Sequence, residues 1–252
     1  MHPILSHITY HMGGRFFASP ILARPSDAHV TLAAEYLVEH YPNLSEKWAD
    51  GIVHGVGIVA AISGGSVLMT LSLLHHGGAG LAAATLLYAL CLIAMLAFSA
   101  IYNLTHPSRA RPFLRKLDEA GIFLMIAGSY TPFTTQRFDG HWAISMTAVV
   151  WAVALAGVAG KLLTNRIPDK VWTGIYLAFG WLVVVAIKPL VQGVPMAALV
   201  LLIVGGLIYT TGALVFHSQL PYRRAIWHGF VVAAAGVHFA AICTGVVLAA
   251  PL

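Results

Sequence analysis

Polar and ionisable side chains gather where the long apolar stretches of this chain meet its loops. Ser99, Asn103 and His106 close one apolar run at spacings of four and three residues, which places them on one face of a helix. The next apolar run opens on Asp118, across a short basic loop. Ionisable groups at membrane depth are costly and usually functional. These residues therefore predict a functional site.

A second set of polar residues lies where the first and last apolar runs begin. Asp50 and His54 open the first run, and Arg224 and His228 open the last. Each pair is four residues apart, so its two members share a helix face. If these helices are neighbours, both sets form one buried polar pocket; its predicted members are Asp50, His54, Ser99, Asn103, Asp118, Arg224 and His228.

Each residue taken alone also has an ordinary structural explanation. Ser99 can hydrogen-bond a carbonyl one turn back in its own helix. His106 can be an interfacial residue, and Asp118 can complement the positive end of a helix dipole. Their convergence from separate segments is what favours a pocket.

The composition is that of a helical membrane protein. Of the 252 residues, 59% are hydrophobic and only 9% are charged, far from the charged fraction of a soluble domain. Apolar runs near 20 residues recur without strand-like alternation, which argues against a β-barrel. Cys91 and Cys243 fall inside such runs and are interpreted as small core residues.

The apolar runs predict an all-α, polytopic fold with seven transmembrane helices. Short loops make neighbouring helices antiparallel. The absence of a convincing internal repeat weakens a transporter built from inverted halves. The predicted spans are 52–74, 79–103, 118–135, 141–160, 171–187, 196–216 and 225–248.

The basic residues predict the orientation of the chain. Twelve of the 14 Lys and Arg residues precede the first span or lie in loops on the same side, while Arg137 and Lys188 lie on the other side. By the positive-inside rule the N-terminus is cytoplasmic, the C-terminus is outside and the polar pocket opens toward the cytoplasm. The same distribution explains the net charge of +5 without nucleic acid as a partner.

The first 44 residues are predicted to be a cytoplasmic tail, and residues 45–252 form the seven-helix domain. The tail has no secretory signal pattern, and its irregularly spaced His2, His7 and His11 indicate a flexible segment. Residues 30–41 have the pattern of a short interfacial helix. Asn43 or Ser45 is expected to cap the helix that follows.

Four motifs make the chain similar to the hemolysin III family, the bacterial branch of the progestin and adipoQ receptor superfamily. The resemblance runs from about residue 45 to residue 242. It implies seven transmembrane helices, a cytoplasmic N-terminus and a place in the bacterial inner membrane. The motifs are Glu46…Asp50…His54-Gly55…Gly57, Ser99-Ala-Ile-Tyr102, Leu117-Asp118…Ser129-Tyr130-Thr131-Pro132-Phe133 and Trp227-His228…Val237-His238-Phe239.

The resemblance implies a zinc ion near the inner leaflet, and this sequence departs from that pattern. The family's ligands are a histidine four residues after the serine and two histidines four apart in the last span. Asn103 and Arg224 occupy two of these positions, and only His228 remains. An amide oxygen is a poor zinc ligand and a guanidinium repels the ion. His106, one turn beyond Asn103, is a substitute ligand to consider.

Three functions follow from the resemblance and the residues. The first is a role in membrane lipid homeostasis, with membrane lipids as partners and a reshaped polar pocket. The second is a zinc-dependent intramembrane hydrolase of a lipid amide or ester, in which Ser99 and Asp118 are catalytic and His106 and His228 bind the metal. The third is a pore or transporter, which is disfavoured because polar groups stop at one end of the spans.

Asp118 and Arg224 are the residues expected to interact in place of a bound metal ion. Asp118 stands where the family keeps an acid near zinc, and Arg224 stands where it keeps a ligand. The sequence predicts that the guanidinium of Arg224 supplies the missing positive charge to Asp118. Asn103 would donate its amide to the same carboxylate or to His228.

Overall fold

The computed structural model describes residues 40–74, 78–164 and 167–250. Within these ranges every regular element is a helix; the helices are α1 (Leu44–Leu74), α2 (Gly78–Leu104), α3 (Arg111–Gln136), α4 (Gly140–Leu163), α5 (Asp169–Gly180), α6 (Ile187–Gly193), α7 (Met196–Phe216) and α8 (Arg223–Ile242). A 3₁₀ segment, Trp181–Ala186, joins α5 to α6, and a π-helical turn, Cys243–Val247, extends α8. The predicted interfacial helix at 30–41 lies almost wholly outside the described residues.

Among the described residues, six helical segments are long and apolar enough to cross a membrane. They are α1, α2, α4, the combined segment Asp169–Gly193, α7 and the extended segment Arg223–Val247. The prediction of an all-helical, multi-pass membrane protein is confirmed. The helix α3 has 26 residues but is not among these six, so the seventh crossing stays a prediction.

The start of α1 is fixed by a side-chain cap. The Asn43 side-chain oxygen accepts a hydrogen bond from the backbone N–H of Glu46 at 2.9 Å and another from the Ser45 hydroxyl at 2.7 Å. Asn43 therefore satisfies an otherwise orphaned helix N–H group, as asparagine does at this position. The cap begins α1 eight residues before the predicted span of 52–74, so Asp50, which precedes that span, lies inside the helix together with His54.

The helices pack so that the last one returns to the first. α1 packs against α2 and α8, α2 against α3, α3 against α4, and α7 against α8. The core they share includes the fully buried Leu68, Tyr88, Phe123 and Ile242. This arrangement brings together the beginning of α1, the end of α2 and the beginning of α8, which carry the predicted pocket residues.

Two helix irregularities, a proline inside α3 and the break after α5, have side-chain hydroxyl groups hydrogen-bonded to nearby backbone groups. Pro132 lies inside α3 and offers no N–H group to the Gly128 carbonyl. The Thr131 hydroxyl next to it donates to the preceding carbonyl, that of Ala127, at 2.8 Å. At the break after α5, the Tyr130 hydroxyl donates to the Gly180 carbonyl and accepts from the Val183 N–H, each at 2.8 Å. Tyr130 thus satisfies backbone groups that the change of helix type exposes.

Candidate functional site

The buried face of α1 carries the first two site residues. Asp50 is 0% exposed and His54 is 2% exposed. Four residues separate them, so both point to the same side of the helix. The same face continues into the bundle through Gly57, Ala61, Leu68 and Ser72.

α1 and α8 approach each other closely, which brings Asp50 and His54 of α1 near the site residue of α8, His228. A Cβ atom built on Gly57 would lie 2.8 Å from a Val232 methyl carbon, closer than side chains normally come. Glycine at this position lets the two helices come together, as small residues do in membrane bundles. His228 precedes Val232 by one turn, so it faces Asp50 and His54.

Asp50 holds both histidines of the site. Its carboxylate accepts a hydrogen bond from His228 Nδ1 at 2.6 Å and another from the Tyr41 hydroxyl. Its main-chain carbonyl accepts from His54 Nδ1 at 2.9 Å. One residue therefore fixes the ring orientation of His54 and His228.

The other ring nitrogens of the two histidines converge on Ser99. His54 Nε2 and His228 Nε2 each lie 3.3 Å from Ser99 Oγ, and the ring centroids are 4.3 Å apart. The Asn103 amide donates to the Ser99 carbonyl at 3.0 Å and approaches Ser99 Oγ at 3.4 Å. The end of α2 thus supplies the hydroxyl at which residues of α1 and α8 meet.

Arg224 lies outside this centre and contacts different partners from those predicted. Its guanidinium donates to Asn103 Oδ1 at 3.3 Å and lies 3.5 Å from His40 Nδ1. The ion pairs of the described residues do not include the predicted pair between Asp118 and Arg224. The reason is that Asn103 lies within reach of the guanidinium, and its amide oxygen accepts the hydrogen bond.

His40 is the one site histidine that precedes the membrane-spanning helices. Burial and the neighbouring guanidinium groups of Arg224, Arg111 and Arg115 lower its pKa from 6.5 to about 3. It therefore stays neutral at ordinary pH and offers Nδ1 as an acceptor to Arg224. Sequence reasoning missed His40 and Tyr41, because neither lies in an apolar run.

A narrow cavity adjoins the polar cluster. Its volume is about 70 Å³, enough for a few water molecules and too small for an acyl chain. Polar groups of His54, Ser99, Asp118 and His228 lie on it together with apolar side chains of α1, α2, α3 and α8, among them Val53, Met95, Leu96, Ile122, Val231 and Val232. Asp118 also hydrogen-bonds the Ser99 side chain, and it interacts electrostatically with His228 and Arg224.

The structure places the predicted residues in three positions. Six of them, Asp50, His54, Ser99, Asn103, Asp118 and His228, lie at the pocket. Arg224 lies at its edge. His106 is exposed in the loop between α2 and α3 and has no part in the cluster.

The metal ligands that the resemblance implies do not fit this chain. Asn103 and Arg224 hydrogen-bond each other at positions where imidazoles would be required, and neither side chain replaces a histidine on zinc. Among the described residues, Asp50, His54 and His228 each offer a ligand atom within 4.8 Å of the others, and all three are buried. His228 is thus grouped with two residues of α1 that could hold a metal ion, and the predicted ligand His106 is not part of this group.

Comparisons with known proteins agree on one family. The family model described as "Haemolysin-III related" matches residues 43–239. "Hemolysin-3" of Bacillus cereus is 32% identical over 197 residues, which cover 78% of this chain and 90% of that protein. "Hemolysin-3 homolog" of Bacillus subtilis is 29% identical over 198 residues, covering 78% and 92%. The human "Monocyte to macrophage differentiation factor" is 28% identical over 208 residues, covering 80% and 84%.

Proposed function

Since the chain belongs to the hemolysin III family, we propose that this multi-pass membrane protein serves membrane lipid homeostasis through its polar pocket. The observation that carries the proposal is the junction of a buried polar cluster with an apolar wall in one cavity. An amphipathic molecule likewise consists of a polar part and an apolar part. A membrane lipid is the amphipathic molecule available at this depth.

The size of the cavity determines which part of the lipid it receives. A volume of about 70 Å³ accommodates a small polar group and water but not a hydrocarbon chain. We assign the cavity to the polar part of the lipid, beside Ser99 and Asp118. The acyl chains then lie along the exposed apolar surface of α1, which carries Ile52, Val56 and Val59.

Lipid retention tests this proposal. Val232→Phe should fill the cavity wall, whereas Val59→Phe adds the same ring at a position that is 65% exposed. After purification in mild detergent, mass spectrometry should find one lipid class that wild type and Val59→Phe retain and Val232→Phe loses. Equal retention by all three proteins would contradict a lipid site in this cavity.

The hydrolase is the second candidate, because a serine hydroxyl, a carboxylate and a water-sized cavity occur together. Bound zinc would supply a Lewis acid and an activated water. This chain's own residues would orient the scissile group, with Asp118 as the acid–base group and Ser99 as a hydrogen-bonding partner. Release of fatty acid from lipid amides and esters in vesicles, absent in Asp118→Asn, would support it.

The pore is not favoured. In the part of the chain that the structure describes, the polar residues of the cavity gather at one end, and the remaining wall is largely apolar. A conduit requires polar groups or wide openings through the membrane. Purified protein in vesicles is expected to give no ion flux above empty vesicles, and sustained flux would instead establish the pore.

A further inference from the structure

We propose that the hydroxyl groups of Tyr88 and Tyr209 bind an internal water molecule that links α2 to α7 in the interior of the bundle. Tyr88 precedes Ser99 by three turns of α2, about 16 Å along the helix axis, so this site lies apart from the polar cluster at the inner end. The site does not rest on the proposed lipid function, which places the polar part of the lipid beside Ser99 and Asp118.

Both tyrosine hydroxyl groups are buried without a hydrogen-bond partner among the described residues. The hydroxyl oxygens of Tyr88 and Tyr209 are closed to solvent, and neither has a donor or an acceptor within hydrogen-bonding distance. Tyr88 as a whole is 0% exposed. A phenol hydroxyl carries one proton and two lone pairs, and neither lipid chains nor apolar side chains satisfy them. The two groups therefore require a polar partner.

The smaller hydroxyl groups of the bundle are satisfied in a way that tyrosine cannot use. The Ser72 hydroxyl donates to the Leu68 carbonyl at 2.7 Å, and the Thr85 hydroxyl donates to the Leu81 carbonyl at 2.9 Å. These bonds stay within one helix because the oxygen is bonded directly to Cβ. The phenol oxygen lies at the far end of an aromatic ring, out of reach of its own helix backbone. A tyrosine hydroxyl therefore depends on a partner from elsewhere, as that of Tyr130 does at the break after α5.

The hydroxyl groups of Tyr88 and Tyr209 lie near each other without direct contact. They interact electrostatically but do not hydrogen-bond each other. Among the described helices, α2 and α7 are not one of the pairs that pack closely. A molecule that joins the two groups must be small and must accept two protons. Water has two lone pairs and meets both requirements, and a buried water typically makes about three hydrogen bonds.

His238 is the nearby side chain that can accept a proton from this water. Its ring stacks on the ring of Tyr209, with 5.5 Å between the centroids. One ring nitrogen hydrogen-bonds the Leu202 carbonyl, which only accepts, so this nitrogen carries the proton of the neutral imidazole. The other ring nitrogen then keeps a lone pair. The water can thus donate to His238 while it accepts from the two tyrosines.

The cavity beside the inner polar cluster extends to Tyr209. This residue lies on the cavity wall together with Ser99 and Asp118, and the cavity volume is about 70 Å³. One water molecule needs roughly 10–15 Å³ of such volume, so the cavity holds several. Water inside the cavity therefore contacts Tyr209 and supplies the proposed site.

Phenylalanine substitutions test the water bridge, because each removes one hydroxyl group and keeps the ring. Tyr88→Phe and Tyr209→Phe should each lower the melting temperature in detergent by about 2–4 °C. The double variant should lose less than the sum, since each single substitution already breaks the same bridge. If both single variants instead melt at higher temperature with additive effects, the hydroxyl groups are simply unsatisfied and the proposal is wrong.

Tyr176→Phe is the matched control for this cycle. It removes a direct hydrogen bond from the Tyr176 hydroxyl to the Glu119 carbonyl at 2.9 Å. Its effect should add to that of Tyr209→Phe, because the two groups share no partner. Coupling of the same size in this pair would show that the Tyr88–Tyr209 coupling does not report a shared water.

Radiolytic labelling detects the water itself and uses the wild-type protein, so it does not depend on whether the variants fold. Brief X-ray exposure converts bound water into hydroxyl radicals, which oxidise the side chains beside it. Mass spectrometry should find Tyr88 oxidised and Phe123, which is also 0% exposed, unmodified. Equal protection of the two residues would overturn the proposal. If Tyr88 is protected and the coupling with Tyr209 disappears when lipid is removed, a lipid oxygen and not water joins the hydroxyl groups.

Discussion

Arg224 stands where the family resemblance implies a zinc ligand. Its positive charge requires that the neighbouring side chains accept hydrogen bonds. A half-buried guanidinium such as that of Arg224 requires acceptors rather than a second cation. Asn103 supplies its amide oxygen at 3.3 Å, and His40 supplies an imidazole nitrogen at 3.5 Å. His40 can accept only in its neutral form, so the three residues are chemically linked.

This linkage predicts an acid sensitivity that belongs to His40. Burial, followed by Arg224, Arg111 and Arg115, lowers its pKa from 6.5 to about 3 in the folded protein. Between these values the unfolded chain takes up a proton that the native state does not, so stability falls as the pH drops below 6.5. His40→Gln, which keeps an acceptor, should flatten the pH dependence of the melting temperature in this window.

The comparison variant for this experiment is His106→Gln, because His106 is exposed in a loop. It should reproduce the wild-type pH profile. A His40→Gln profile parallel to that of wild type would show that another group causes the acid sensitivity.

At the scale of the helices, the spacing between α1 and α8 determines whether the site can form. Gly57 allows that spacing, since a Cβ atom there would lie 2.8 Å from Val232. Gly55, half a turn earlier, provides a neighbouring control, because a Cβ atom there would have no neighbour within 4 Å.

Gly57→Ala is therefore expected to separate the two helices and to cost about 1–3 kcal/mol of stability, the usual range for overpacking. Gly55→Ala should be neutral or slightly stabilising, because alanine favours the helix by about 1 kcal/mol over glycine. Unfolding in detergent measures both values. Similar effects of the two substitutions would show that the contact with Val232 relaxes without cost.

A charged network joins α3, α4 and α5 and gives a second prediction at this scale. Glu119 accepts from Lys161 Nζ at 2.5 Å and from Arg115 Nε at 2.8 Å, and Arg115 continues to Asp169 at 2.7 Å. Lys161 is 5% exposed, whereas Asp169 is 54% exposed. The buried half of the network should carry most of its energy.

Lys161→Met should accordingly destabilise the protein by about 1–3 kcal/mol, less than a fully isolated buried charge because Arg115 still pairs with Glu119. Asp169→Asn should change stability by less than about 1 kcal/mol. Denaturant unfolding of both variants and of the double variant measures their coupling. An equal cost for the two single substitutions would contradict the assignment.

The sequence predicted the helices well because hydrophobic runs and charges dominate membrane sequences. The predicted span 196–216 coincides with α7, and 79–103 differs from α2 by one residue at each end. The break between α5 and α6 was not predicted, because the Tyr130 hydroxyl that satisfies it comes from another helix.

The site was predicted less completely than the helices. Their spacing and their places in the apolar runs predicted that Asp50, His54, Ser99 and His228 lie at the same depth in the membrane. It did not predict that Asp50 holds both histidines, since that depends on the rotation of α1 against α8. The ion pairs of the described residues do not include a direct pair of Asp118 with Arg224, because the guanidinium donates to Asn103 instead. The charge of Arg224 still acts on Asp118, as predicted.

At the scale of the whole molecule, α3 is the helix on which the number of crossings depends. Its 26 residues are long enough to span a bilayer, although it is not among the six segments that are also apolar enough by themselves. It packs between α2 and α4, and Phe123, Met125 and Ala127 in its middle are at most 3% exposed. A helix covered by its neighbours does not need an apolar surface, because lipid contacts little of it.

We therefore predict that α3 crosses the membrane, that the chain crosses seven times, and that the C-terminus lies outside. Twelve basic residues against two place the loop at residues 105–110 in the cytoplasm, and a crossing by α3 puts residues 137–139 on the opposite side.

Single cysteines at Arg109 and Asp139, in a protein whose Cys91 and Cys243 are replaced by serine, distinguish the alternatives. An impermeant thiol reagent applied to intact cells should label the Asp139→Cys protein and label the Arg109→Cys protein only after lysis. A reporter that is active only in the cytoplasm should be silent when fused after Leu252. If the reagent labels both cysteines under the same condition, α3 does not cross the membrane. The reporter should then be active, because six crossings return the C-terminus to the side of the N-terminus.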